Sequence, residues 1–176
     1  LVSYSSDSDL ADCLELLAPQ YIVHIAACFA SDDEKCDMSQ LVNDNIKFGA
    51  LLLKFSPKQS LRGFINTCSY WQFDDEMNRS PVNYYAAAKN AFLDLLHYSS
   101  QNYSFECLNL ILFDVFGKND PRKKLIASLP ELLSSRTALE LSPANQELDL
   151  IYITDVTSAF SSALDYLRAG HGLNSF

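Results

Sequence analysis

The feature that most constrains this chain is a run of seven residues, Tyr21-Ile22-Val23-His24-Ile25-Ala26-Ala27, that is almost continuously apolar. Side chains on a strand point alternately to opposite faces, so a run of this kind is buried on both sides and needs a packed layer on each. Leu61–Thr67 reads as a second buried strand. Glu106–Phe113 reads as a third, with Leu108, Leu110 and Leu112 alternating with Asn109 and Ile111. Helical patterns separate these runs. Strands alternating with helices imply right-handed βαβ units and a mostly parallel sheet, so the expected fold is α/β and doubly wound.

The helical segments follow from spacing and punctuation. Asp7-Ser8-Asp9 can cap a helix carrying Leu10, Cys13, Leu14 and Leu17, which Pro19 stops. Leu41 to Phe55 places Leu41, Phe48, Leu52 and Phe55 on one side. A helix is expected from about Val82 to Ser99, after a polar loop from Phe73 to Ser80. Pro121 suits the first turn of a helix running to about Ser134. Short strands are expected near Thr137–Leu141 and Leu148–Ile153, and Asp155 opens a last helix, Val156–Leu167.

Composition narrows the function. The chain has 176 residues, is 48% hydrophobic and carries a net charge of −9 from 13 basic and 22 acidic residues. That length suits one domain of ordinary size. The charge argues against a nucleic-acid partner, whose phosphates are bound by clustered cations, and against an anionic membrane surface. The longest apolar stretches are about half the ~20 residues that a membrane span needs. The start, Leu1-Val2-Ser3-Tyr4, lacks the basic and apolar regions of a secretory signal and has no initiator Met. The five cysteines are odd in number and have no CxxC spacing, so they read as free thiols in a reducing cytoplasm. Cys28, Cys36 and His24 lack the fourth ligand and the usual spacing of a zinc site, and no metal is expected.

Ligands on parallel sheets bind at the carboxyl ends of the strands. After the first strand, Ala26 and Ala27 suit either close packing or the approach of a ligand to the backbone. His24, inside the apolar run, reads as a core histidine. After the second strand, Thr67 and Ser69 place hydroxyls at the ligand edge, or simply end the strand in polar residues. Tyr85-Ala86-Ala87-Ala88-Lys89 puts a phenol and an ammonium at positions i and i+4 of a helix, on one face. A nearby ammonium favours the phenolate and suits the tyrosine to general acid–base work near neutral pH. The order of strand, Ser, loop, then Tyr-x-x-x-Lys is more specific than the pair alone.

That order resembles the extended short-chain dehydrogenase/reductases, the NAD-dependent epimerase/dehydratase family that acts largely on nucleotide sugars. The resemblance rests on Phe64-Ile65-Asn66-Thr67-Cys68-Ser69 and on Tyr85-x-x-x-Lys89 after Pro81. Val23–Ala27 is similar to the family's His-x-Ala-Ala turn, and Asn45–Gly49 to its Asn-Val-x-Gly-Thr helix. Leu112–Gly117 resembles its Leu-Phe-Asn-Val-Tyr-Gly turn, and Gln146 with Asp149–Val156 its Asp-Phe-Ile-Tyr-Val-x-Asp-Val strand. Together these matches run over about Leu1 to Leu167.

The resemblance implies a Rossmann-like fold and a role for each matched residue. Tyr85 would be the general acid/base. Lys89 would assist it and hold the nicotinamide ribose of NAD or NADP. Ser69 would hydrogen-bond the reacting oxygen, and Asn45 would brace the central helix and a relay water. Ala26, Ala27, Thr67, Phe113 and Val115 would line the cofactor. Tyr70, Asp114 and Gln146 would meet the nucleotide-diphosphate sugar. A homodimer through a helix bundle is expected, with Leu51, Phe92, Leu95 and Leu96 as candidates for its interface or for the core.

The same resemblance sets limits. The family's Gly-x-x-Gly-x-x-Gly loop is missing, and the first of the five glycines is Gly49. The chain is therefore expected to start inside the family's domain and to stop before its end, as a truncated product or part of a longer chain. Residues 1–176 would form a partial NAD(P)-binding domain, with the substrate-binding part starting within about 118–147. Asp114 stands where the family has Asn, and its carboxylate would repel a sugar diphosphate. Tyr70 and Trp71 follow Ser69 in place of the acidic pair of 4,6-dehydratases. The run Ser69-Tyr70-Trp71-Gln72 is closer to the reductases that finish dideoxy-sugars, such as the abequose synthases. The expected reaction is thus C4-keto reduction of a nucleotide 4-keto-6-deoxysugar. The alternatives are 4-epimerisation and a non-catalytic remnant that keeps the fold.

Overall fold

The structure, a computed structural model, describes residues 3–118 and 147–170, together with 120, 126, 129, 133 and 134. The helix expected from Pro121, the strand at Thr137–Leu141 and Gln146 lie wholly or mostly outside the described residues. The chain divides into two compact units, one of Leu1–Ile111 with Phe160–Phe176, the other of Leu112–Ala159.

The first unit holds a three-stranded sheet of order β1-β2-β3: β1 (Tyr21–His24), β2 (Gly63–Ser69) and β3 (Glu106–Leu112). β1 and β2 are parallel, with His24 opposite Asn66. The first strand is shorter than its apolar run, so Ala26 and Ala27 sit in an exposed loop beyond it. Phe64 and Ile65, both fully buried, point to opposite faces of β2. Phe64 packs with Leu10 and Leu14 of α1 (Asp7–Leu17), Leu52 and Leu53 of α3 (Phe48–Phe55), and Phe92 and Leu96 of α4 (Tyr84–Tyr103). Ile65 packs with Ala163 and Leu167 of α5 (Ile153–Ala169). The sheet is therefore covered on both faces, as its apolar strands require. Each buried Leu, Ile or Phe among these contributes about 1.5–3 kcal/mol.

Several boundaries differ from expectation for local reasons. Ser6, not Asp7–Asp9, caps α1 by accepting the Asp9 amide, and Asp7 and Asp9 instead lie in the first turn, where the helix dipole favours carboxylates. Leu17, expected on the apolar face, is exposed. Helix α4 starts two residues late because Asn83 is its cap, accepting the Ala86 amide at 2.9 Å. It continues to Tyr103, since no Gly or Pro interrupts Gln101–Tyr103, and ends where Ser104 turns left-handed with φ 55°. The helix expected from Leu41 to Phe55 is three pieces: α2 (Met38–Val42), a π-helical turn over Asn43–Lys47, and α3. Gly49 lets α3 and α4 touch, because a Cβ there would lie 2.4 Å from the Phe92 ring. Phe92 and Leu96 are thus core residues and Leu51 packs against that core, which leaves Leu95 as the exposed member of the four candidates for an interface.

In the second unit β4 (Asp114–Phe116) pairs in parallel with β5 (Leu150–Tyr152), Val115 opposite Ile151. Phe113, Asp114 and Val115 are half-buried there. Helix α5 begins at Ile153, earlier than Asp155 suggested, so the strand before it is confined to three residues. Among the described residues no helix is long and apolar enough to cross a membrane. All five cysteines are free thiols.

Candidate active site

The carboxyl end of β2 and the first turns of α4 build one polar cluster. At the end of the β1–β2 pairing, Thr67 Oγ1 donates to the His24 carbonyl at 3.0 Å. The Thr67 carbonyl accepts from Lys89 Nζ at 2.8 Å. Lys89 is buried, and its ammonium lies 5.6 Å from the centre of the Tyr85 ring. The two side chains thus share a face, as their i, i+4 spacing demands. Burial pulls the Lys89 pKa below its ordinary value, with the nearby Cys68 thiol opposing the shift.

Tyr85 is buried among aromatic edges. The Phe29 ring meets it at 5.2 Å and the Trp71 ring at 6.4 Å, both edge-on. Phe29 and Trp71 also touch each other at 5.4 Å. Ser69 ends β2 and caps the 3₁₀ turn Tyr70–Gln72, its Oγ accepting the Trp71 amide at 3.3 Å. The same hydroxyl oxygen accepts from the Gln72 backbone amide in a capping box, so both bonds use it as an acceptor and its proton is left to donate.

The loop after β1 is fixed by two asparagines. Asn45, on the π-helical turn and almost fully buried, donates from Nδ2 to the carbonyls of Cys28 (2.8 Å) and Leu41 (3.1 Å). Its Oδ1 accepts the Cys28 amide at 3.2 Å. Asn83 donates to the Ala30 carbonyl at 3.2 Å while capping α4. Between these ties lies Phe29, against Tyr85, and before them lie Ala26 and Ala27.

The structure therefore brings together Thr67, Tyr85 and Lys89 directly, and Ser69 through Trp71. Asn45 shapes the neighbouring loop, and Tyr70 is half-buried beside Ser69. His24 is a core residue, as the apolar run suggested. Its ring packs among Phe48, Phe64 and Phe92, and its Nε2 is buried without a hydrogen-bond partner. Three residues that shape the site were not singled out from the sequence: Gln72, Asn83 and Asn90. Two had a readable signal. Ser69-x-x-Gln72 has the capping-box spacing, and Asn83 is a cap residue just ahead of a helix.

A sequence model of the "NAD dependent epimerase/dehydratase family" matches residues 2–174. The chain belongs to this family. Its relatives include a CDP-abequose synthase of Yersinia pseudotuberculosis, 32% identical over 151 residues that make up 85% of this chain and 53% of the relative. A CDP-abequose synthase of Salmonella muenchen is 28% identical over 152 residues, 85% of this chain and 51% of that protein. The chain thus spans about half the length of these relatives. Among solved structures, a UDP-glucose 4-epimerase from Brucella ovis in complex with NAD superposes with a TM-score of 0.78, at 20% identity, covering 94% of this chain and 59% of that one. A UDP-glucuronic acid 4-epimerase from Bacillus cereus in complex with UDP-glucuronic acid and NAD gives 0.76, at 20% identity, covering 92% and 54%. These likenesses establish the Rossmann-like fold of the family.

Proposed function

We propose that the protein carrying this chain is an NAD(P)-dependent nucleotide-sugar oxidoreductase, which reduces the C4 ketone of a nucleotide-diphosphate 4-keto-6-deoxysugar. The observation that carries the reading is the grouping of Lys89, Tyr85 and Ser69 around the end of β2. The CDP-abequose synthase relatives support the reductase over the 4-epimerase.

The residues present fit the nicotinamide end of a dinucleotide. Ala26 and Ala27 are exposed and offer only methyl groups, and the Lys89 ammonium stands beside the strand end. NAD(P)H, when bound there, would supply the hydride equivalent for the ketone. Tyr85 gives its phenolic proton to the C4 oxygen, completing the alcohol. The Lys89 cation stabilises the negative charge left on the phenol. Ser69 donates its hydroxyl proton in a hydrogen bond to the same oxygen and holds the carbonyl in place. Thr67, through its carbonyl, fixes Lys89. By the family resemblance alone, Phe113 and Val115 are proposed as cofactor-binding residues, and Tyr70, Asp114 and Gln146 as substrate-binding residues.

The test is turnover of a nucleotide 4-keto-6-deoxysugar with NADH or NADPH, with the C4 configuration of the product determined. Wild type is expected to consume one reduced cofactor per sugar, and Tyr85→Phe to lose about 10²–10⁴-fold in rate. An unchanged rate in the variant overturns the role of Tyr85. Interconversion of C4 epimers without net cofactor oxidation establishes the epimerase instead.

A homodimer through α3 and α4 is part of the proposal. Leu95, Tyr98 and Tyr103 are exposed on this side, around a groove of about 260 Å³ with Ala50 and Lys54. Sedimentation of wild type and Tyr98→Asp tests it, and a monomeric wild type refutes it. The cytoplasm, where the five thiols stay reduced, is the proposed compartment.

A further inference from the structure

We infer that Gln72 and Asn90 are a positioning pair, which sets the Ser69 hydroxyl in register with Tyr85 and Lys89. The inference rests on the catalytic reading of those three residues. Gln72 is fully buried and Asn90 nearly so. Each polar group of Gln72 beyond its own amide is used. Its Oε1 accepts the Ser69 amide at 2.8 Å, its Nε2 donates to Asn90 Oδ1 at 2.9 Å, and its carbonyl accepts from Asn90 Nδ2 at 3.4 Å and from the Ser80 amide at 2.9 Å.

Burying a primary amide costs free energy unless its hydrogen bonds are replaced, and an apolar side chain would fill the same space without that demand. What two facing amides add is direction. Asn90 follows Lys89 on α4, so the Ser69 turn is referenced to the helical turn that carries the cation. The path runs from Ser69 N–H through the Gln72 amide to Asn90, with no charged group in it. Ser69 Oγ accepts the Trp71 amide at a long 3.3 Å and the Gln72 backbone amide as the other half of a capping box, so the 2.8 Å bond from Ser69 N–H to the Gln72 side chain is the shortest restraint on where the hydroxyl stands.

The experiment uses the full-length protein with Gln72→Met, which keeps the volume and removes both side-chain bonds, and Asn90→Leu, which leaves the Ser69–Gln72 bond in place. Amide hydrogen exchange at Ser69 and steady-state reduction of a nucleotide 4-keto-6-deoxysugar are read together. In Gln72→Met, exchange at Ser69 is expected to quicken about tenfold or more. Its kcat is expected to fall about 10–100-fold with the cofactor KM unchanged. Asn90→Leu should fall between wild type and Gln72→Met, and the double variant should be no worse than Gln72→Met. Unchanged exchange at Ser69, or quickened exchange with kcat within about twofold of wild type, overturns the inference. If Gln72→Met does not fold, Asn90→Leu decides by the same two readings. If wild type turns over no nucleotide ketosugar, the catalytic reading fails, and the exchange arm alone decides whether the pair holds the turn.

Discussion

Acidification should destabilise this protein through one residue, His24. Its imidazole lies between the sheet and α4, its ring centre 5.0 Å from that of Phe92 and about 6 Å from Phe48 and Phe64. Burial pushes its pKa from 6.5 down to about 4, the nearby Lys89 cation pushes the same way, and a hydrogen bond with Asn66 opposes them. The folded state thus binds the proton less readily than the unfolded chain does. Stability is complete above pH 6.5, is lost as pH falls from there toward 4, and the loss levels off below. Over that window the slope approaches about 1.4 kcal/mol per pH unit, so going from pH 7.5 to pH 5.0 costs about 2 kcal/mol. With an m-value of about 2 kcal/mol/M, the urea midpoint should drop by about 1 M. His24→Leu removes both the titrating group and the unpartnered Nε2. It should hold its midpoint at pH 7.5 and cut the shift at pH 5.0 to a small fraction of the wild-type value. If the leucine variant shifts as far as wild type does, His24 is not the origin of the acid sensitivity and the burial account of its pKa is wrong.

Other expectations follow from single contacts. Gly49→Ala places a methyl 2.4 Å from the Phe92 ring, which is locked in the core, and should cost about 1–3 kcal/mol in denaturant unfolding; no loss means that α3 and α4 part easily. Asn45→Ala strands the Cys28 amide and carbonyl and should cost about 2–3 kcal/mol, with faster proteolysis within residues 25–37. Unaltered cleavage there would mean that the loop does not depend on this side chain. Cys68 is buried with its pKa raised to about 11, so at pH 8 a thiol reagent should modify it only as fast as the protein unfolds; rapid labelling in the native state would contradict that burial.

What was legible in the sequence was whatever depends on local periodicity. The apolar strands, the covering helices, the Tyr85–Lys89 face and the core character of His24 all follow from which side chains neighbour one another along an element. The readings left open fall where two signals competed. Ala26 and Ala27 look like strand by hydropathy, yet the β1–β2 pairing ends at His24–Asn66 and leaves them outside. Phe92 and Leu96 share a helix with the exposed Leu95, and only the approach of α3 at Gly49 and of Phe64 on β2 decides which side is core. The π-helical turn left no mark in hydrophobic spacing, because Leu41 and Phe48 stay seven residues apart in either geometry. The Gln72–Asn90 amides were unreadable for another reason: their residues are eighteen apart, and the bond exists only because the Ser69 turn folds back on α4.

The π-helical turn at Asn43–Lys47 makes the central helix sensitive to its length. Such a turn holds one residue more than an α-helix would over the same rise. Deleting one of its residues would restore an unbroken α-helical ladder with α2 and α3 left in place, whereas a further inserted residue would turn everything on one side of the insertion by ~100° relative to the other. With Gly49 pinned against Phe92, that rotation would swing Asn45 off Cys28 and release the loop that carries Phe29 to Tyr85. The segment should thus accept changes of residue on its exposed side far more readily than an added residue.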